Sequence, residues 1–226
     1  MIVTIHQAAY LPWLGYLARI ARSDVFVFLD TVQFEKNSFT NRNKIKTAAG
    51  PIWLTVPVSS RGHMSKRLLD VEIDSRRDWR KKHRRSIEMN YRRAANFERN
   101  IPKLETLYGG DEHLLADLCF NHLQFWLREL EIDTRVVRAS TLHVEGRKSD
   151  LVLQLCKHLG ATTYLSGPRG RDYLAQNDFA ASGVDVVFYE FKHPVYPQLY
   201  GEFLPAMSVV DYWMNANNGL PFRKKP

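Results

Sequence analysis

The chain has 226 residues, 45% hydrophobic and 25% charged, which supplies a core, excludes a disordered composition and suits one α/β domain spanning 1–226. No apolar run approaches the roughly 18 residues a membrane span needs, and Met1 to His6 lacks the basic end and long apolar stretch of a signal peptide, so a cytoplasmic protein without a membrane partner is expected. The net charge of +8 is uneven: between Arg76 and Arg93 nine Lys and Arg face only Asp78 and Glu88, which points to a local anionic partner.

Along the chain, residues 2–5 read as an apolar strand and 14–21 as a short helix with Leu14, Leu17, Ala18 and Ala21 on one face. Residues 24–29 are a second strand of the continuously apolar kind that a two-sided parallel sheet buries, so the chain opens as a βαβ unit. Residues 30–46 form a polar, Asn-rich, basic loop, of a length that usually carries function. Residues 45–47 and 52–56 flank Gly50 and Pro51 as a hairpin. After a second polar loop at 59–66, Leu69, Val71 and Ile73 alternate as a strand, and Ser75 is the expected N-cap of a basic helix. Helical pattern continues to Leu130, broken near Pro102 and Gly109-Gly110. Strands are then expected at 134–138, 162–166 and 184–189, with helices at 149–159, 172–177 and 208–217. The fold class is α/β: a mainly parallel sheet opening with a βαβ unit, plus an inserted hairpin and a helical region.

Cys119 and Cys156 lie in amphipathic stretches and read as buried thiols rather than a disulfide. No Cys-x-x-Cys or His-Glu-x-x-His spacing is present, so metal is expected only as Mg²⁺ carried by phosphates.

The first strand runs into His6-Gln7-Ala8-Ala9-Tyr10-Leu11-Pro12-Trp13, placing His6, Gln7, Tyr10 and Trp13 between a strand and a helix. Ligands of open α/β sheets bind at that edge, the helix start offers N–H groups to an anion, and His6 can donate a proton or a hydrogen bond there. The plainer alternative is a strand-ending histidine with Trp13 in the core. Asp30 ends the second strand, where it either meets His6 or caps the loop. In Asn37-Ser38-Phe39-Thr40-Asn41-Arg42-Asn43-Lys44, Arg42 grips phosphate as a fork, Lys44 acts as a point charge, and Ser38 with Asn37, Asn41 and Asn43 reads hydroxyls. Ser166-Gly167-Pro168-Arg169-Gly170-Arg171-Asp172-Tyr173 also follows a strand, making Ser166, Gly167, Arg169 and Tyr173 candidates for the same edge. His63 in the second polar loop either joins the site or is simply exposed. On the basic helix Trp79, Ile87, Tyr91 and Ala94 give a narrow apolar stripe, with the charge either solvated or directed at RNA.

The segments His6-Gln7-x-x-Tyr10-Leu11-Pro12-Trp13-x-Gly15-Tyr16, Val32-Gln33-Phe34, Asn37-Ser38-Phe39-x-Asn41-Arg42-Asn43-Lys44, Trp53-Leu54-Thr55-Val56-Pro57, Tyr164-Leu165-Ser166-Gly167 and Pro205-x-x-Ser208-x-x-Asp211 resemble the WbqC-like family over nearly the whole chain. Ala8 stands where that pattern usually has proline, and Gln33 enters the candidate site with the resemblance. It implies bacterial surface-polysaccharide (O-antigen) and amino-sugar biosynthesis, with transfer of an aminoacyl, glycyl-type group to the amine of a nucleotide-linked deoxyamino sugar. His6 or Asp30 would deprotonate the sugar ammonium, and Arg42, Lys44 and Arg169 would hold the diphosphate. The co-substrate expected is an aminoacyl-tRNA, which would use residues 76–93, or ATP with Mg²⁺. The alternative is a non-catalytic module that binds a nucleotide sugar or RNA and assists a glycosyltransferase. The strand, histidine loop, helix, strand order is also similar to the opening of the nucleotidylyltransferase and pantothenate-synthetase superfamily. Tyr10 and Trp13 stand where its second histidine would be, leaving a topological analogy only.

Overall fold

The run Val25-Phe26-Val27-Phe28-Leu29 is buried at every position, as a strand covered on both faces must be. In the computed structural model, which describes residues 1–59 and 66–216, this run is β2 (Val25–Leu29), parallel to β1 (Ile2–Gln7) and joined to it by helix α1 (Leu14–Ala21). A hairpin of β3 (Arg42–Thr47) and β4 (Gly50–Thr55) follows. The helical region comprises α2 (Trp79–Tyr91), α3 (Phe97–Asn100), α4 (Leu104–Tyr108) and α5 (Leu115–Glu129). The chain then alternates through β5 (Arg135–Arg138), α6 (Lys148–His158), β6 (Thr163–Ser166), α7 (Gln176–Ala181) and β7 (Asp185–Phe188), ending in α8 (Val209–Asn215).

The five parallel strands lie in the order β5-β2-β1-β6-β7. The chain therefore builds outward from β1 in one direction and then in the other, and the order reverses between β1 and β6. Strand parity sorts the side chains. Phe26 and Phe28 join the core that includes α1, α5 and α8, whereas Val3, Ile5, Val25 and Val27 pack with Leu151, Leu155 and Phe179 of α6 and α7. Cys119 and Cys156 are buried thiols in these two separate cores.

The βαβ opening, the hairpin and the alternating second half match the sequence reading. Three local expectations are corrected. Leu69, Val71 and Ile73 do not form a ladder: Leu68–Asp70 is a 3-10 turn, and Ile73 and Glu72 make only isolated bridges, to Val58 and Leu114. Their alternation reflects one-sided burial, while the backbone bonds go elsewhere; Leu69 N–H donates to the Asp30 carbonyl and Ile73 N–H to that of His113. The N-cap of α2 is Asp78, whose carboxylate accepts from Lys81 N–H, not Ser75. Starting the helix at Trp79 lets that ring reach the core. The helix expected at 172–177 is a 3-10 turn at Pro168–Asp172 followed by α7.

Candidate functional site

His6 is the next-to-last residue of β1, and its ring packs edge-on against Trp13 and Tyr16 at centroid distances of 5.6 and 5.0 Å. Its Nδ1 lies 2.9 Å from the Gln7 carbonyl. A carbonyl only accepts, so Nδ1 carries the proton of the neutral ring and Nε2 is left as a bare lone pair. Burial, reinforced by the positive charge of Arg19, lowers the His6 pKa to about 3, so the ring is neutral at physiological pH. Tyr16 Oη donates to the same Gln7 carbonyl at 3.3 Å.

Across the sheet, β6 ends at Ser166 and Gly167. Thr4 Oγ1 donates to the Leu165 carbonyl at 2.7 Å and locks the two strand ends together. Ser166 is buried, with Oγ donating to the Gly167 carbonyl. Arg169 is exposed, and Tyr173 is largely so. The Arg19 guanidinium reaches this edge from α1; a Cβ on Gly167 would stand 2.5 Å from its Nη1.

From His6 a line of rings runs outward. Trp13 lies 5.2 Å from Phe39, and Phe39 lies 5.9 Å from Trp53. Phe39 and Trp53 keep 42% and 41% of their surface exposed. Over the Trp53 ring sit the Arg42 guanidinium carbon, 4.3 Å from the centroid, and Lys44 Nζ, at 4.9 Å. Arg42 and Lys44 share a face because they are two apart on β3, and Lys44 pairs with Trp53 in register. The Asn37 carbonyl accepts from Arg42 Nη2 at 2.6 Å, with Asn37 in the left-handed region at φ 62°. Ser38 Oγ donates to the Glu35 carbonyl and ties into Thr40.

The pleat turns the intervening amides inward. Asn41 Nδ2 donates to the Val56 carbonyl, and Asn43, fully buried, donates to the Leu11 carbonyl at 2.6 Å and accepts from Lys44 N–H. These two asparagines hold the loop on the core, and Arg42 and Lys44 face out. Tyr10 is fully buried, 2.7 Å from His83 Nδ1 and 3.0 Å from the Tyr108 hydroxyl. Gln33 bridges the backbone of Arg67. His63 lies outside the described residues. Asp30 does not meet His6: one carboxylate oxygen accepts from Ser140 N–H, and the other accepts from Arg138 Nε and Ser140 Oγ, at 2.8–2.9 Å.

The basic segment 76–93 is partly neutralised, chiefly by acids from outside it. Arg76 pairs with Asp74, Arg80 with Glu112, and Arg84 with both Glu88 and Glu105. Arg77, Lys81, Lys82, Arg85, Arg92 and Arg93 make no ion pair among the described residues. A cleft of about 550 Å³ lies between α2 and α4, lined in part by Lys81, Arg84, Arg85 and Tyr108. Among the described residues no helix is long and apolar enough to cross a membrane, and no group of three His, Cys, Asp or Glu is placed to hold a metal.

The sequence reading missed Arg19 and the stacking of Trp13, Phe39 and Trp53. Arg19 is the only charged residue in Leu-Gly-Tyr-Leu-Ala-Arg-Ile-Ala, flanked by buried neighbours, and that anomaly was its available signal.

The strand order, which reverses between β1 and β6, and the helices packed on both faces of the sheet define a doubly wound α/β protein. Residues 7–219 match the WbqC-like protein family, and the chain belongs to it. It is also 34% identical over 221 residues to "Uncharacterized protein Rv1507c" of Mycobacterium tuberculosis, covering 97% of this chain and 95% of that protein. No solved structure matches.

Proposed function

We propose that this protein acts in bacterial surface-polysaccharide and amino-sugar biosynthesis, transferring an aminoacyl group to the amine of a nucleotide-linked deoxyamino sugar. The observation that carries the reading is the continuous line His6, Trp13, Phe39, Trp53, which links a strand-end histidine to an exposed ring flanked by Arg42 and Lys44. Flat π-faces suit a base or a sugar ring, and the paired cations suit the diphosphate between them. Arg169 and Tyr173 would close the other side of the crevice. In the reaction the sugar nitrogen gives its extra proton to His6 Nε2 and attacks the acyl carbonyl. The new N–C bond forms as the donor's C–O bond breaks, and the amine's second proton passes to the departing oxygen. Asp30 is fully engaged with Arg138 and Ser140, so His6 is the base in this scheme. An aminoacyl-tRNA donor would use the unpaired cations of α2; a donor activated by ATP would bring its own Mg²⁺.

One observation favours a second reading, a non-catalytic module serving a glycosyltransferase: with a pKa of about 3 the free imidazole is a weak base. The test is to incubate the protein with a panel of nucleotide amino sugars and acyl donors, following product mass and, separately, binding heat. The acylation reading expects a mass gain that His6→Ala abolishes. Binding without any mass gain supports the module, and neither binding nor turnover removes both.

A further inference from the structure

Arg19 keeps only 8% of its surface exposed, yet among the described residues it makes no ion pair and its side chain no hydrogen bond. Buried cations are ordinarily paired, because leaving water without a counter-charge is unfavourable. The titratable groups beside it are the hydroxyls of Tyr164, Tyr16 and Tyr173, none of them a carboxylate.

The direction of the side chain explains where the charge goes. Residues on a helix lean toward its N-terminus, so Arg19, in the last turn of α1, extends back up the sheet instead of out to water. Its Nη1 ends 2.5 Å from where a Cβ of residue 167 would be. Glycine at 167 leaves that space to the guanidinium. The charge thus lies between the ends of β1 and β6, where the strand order reverses, and close enough to His6 to disfavour its protonation.

We propose that Arg19 is the anion anchor of this sheet edge: an oxyanion of the ligand, phosphoryl or carboxylate, pairs with its guanidinium beside Gly167. Arg42 and Lys44 are half-buried over Trp53, where solvent still screens them, whereas Arg19, 8% exposed, acts in a drier setting and holds a charge more strongly. The inference deepens the proposed function by locating the ligand's charge, but simple anions test it without any sugar.

The experiment is titration calorimetry of the full chain with pyrophosphate and with malonate at fixed ionic strength, using wild type, Arg19→Met, Gly167→Ala and Arg135→Gln. Wild type should bind one of the two anions, and the tighter one identifies the ligand's group. Arg19→Met should weaken it by about tenfold or more, as loss of a charge-assisted pair implies. Gly167→Ala, which crowds the guanidinium without removing it, should weaken it too, and Arg135→Gln, at an exposed cation that starts β5, should leave it within about twofold. Arg19→Met should also melt no lower than wild type, since it removes an unpaired buried charge; if it fails to fold, Gly167→Ala carries the test. Failure of wild type to bind either anion, or equal binding by Arg19→Met, overturns the proposal. Anion binding with no sugar turnover would remove the acylation reading and keep the anchor; sugar turnover unaffected by Arg19→Met would do the reverse.

Discussion

Replacing Asp30 by Asn separates a chemical role from a structural one. Its carboxylate ties the end of β2 to Arg138 at the end of β5 and to the 3-10 turn Ala139–Thr141, and Arg138 reaches on to Asp117 of α5 at 2.6 Å. Asn can still accept from Ser140 N–H, but its amide then faces Arg138 Nε donor to donor. One charge-assisted bond is lost, worth about 1.5–3 kcal/mol, and breaking a fully buried pair would cost about 3–5 kcal/mol. Arg138 retains Asp117 and is 25% exposed, which places the expected loss at about 2–3 kcal/mol. For a chain of this size that lowers the melting temperature by roughly 4–12 °C. Calorimetric melting and urea titration read it directly, beside ligand binding at a temperature where the variant stays folded. The reasoning fails if Asp30→Asn melts as wild type does while turnover disappears, because Asp30 would then belong to the chemistry.

Four further outcomes follow from the structure. Burial lowers His6 and His122 to about 3 and His83 to about 4; the unfolded chain, with histidines near 6.5, takes protons first, so the stability conferred by keeping these rings neutral is complete above about pH 6.5 and falls as pH drops toward 4, by roughly 2–3 kcal/mol per fully buried ring at pH 4.5, and less for His6, which retains some exposure to solvent. Neither nitrogen of His122 has a hydrogen-bond partner, the Leu107 backbone favouring the charged form without a bond of good geometry; His122→Phe should therefore keep the ring packing with Tyr10 and Tyr108, leave stability at pH 7 unchanged or higher, and flatten the acid slope in urea melts at pH 7 and 4.5. Trp53→Ala should lower stability by about 1–2 kcal/mol, since the residue keeps 41% of its surface exposed but packs on Phe39 and under Arg42, and weaken a nucleotide-sugar ligand by about 1–3 kcal/mol in calorimetry if the base stacks there. Replacing Lys81, Lys82 and Arg85 by Gln should reduce tRNA binding and flatten its salt slope by about 0.7 for each phosphate no longer neutralised, and a wild type with no tRNA affinity at low salt removes the aminoacyl-tRNA donor.

What could be read in the sequence was what one residue's neighbours along the chain decide. A continuous apolar run announces a strand covered on both faces, so Val25–Leu29 was legible; Gly50, at φ 103°, marked its turn. Which strand neighbours which is not local. β1 meets β6 through Thr4 and Leu165, 161 residues apart, and no periodicity records that. The Asn-rich loop shows the same division. Its composition announced polar side chains in quantity, but Arg42 and Lys44 face solvent while Asn41 and Asn43 support the backbone, a separation set by where β3 begins and hence by the pleat. Asp30 was placed correctly at a strand end, yet its partner came from β5, on the side of β2 away from β1.

Arg19 marks the opposite limit, a residue whose significance lies in what it lacks. In sequence an arginine within an amphipathic helix reads as a side chain that carries its charge to water along an apolar stem. Only the fold shows the stem directed along the sheet toward Gly167, with the strand-end histidine beside it. The two features depend on one another. A positive charge nearby helps keep His6 neutral, so its Nε2 presents a lone pair. An anion seated against Arg19 offsets that charge and makes protonation of the ring easier, which moves His6 toward the behaviour of a base at the moment a phosphorylated or carboxylated ligand arrives. Burial remains the larger cause of the depressed pKa, so the ligand must also bring hydrogen-bonding partners to Nε2 for the shift to be large. A phosphoryl oxygen is such a partner, because it accepts from the imidazolium, whereas a sugar ammonium donates to the Nε2 lone pair and holds the ring neutral until its proton transfers, so turnover needs the anion seated at Arg19 and the amine at Nε2.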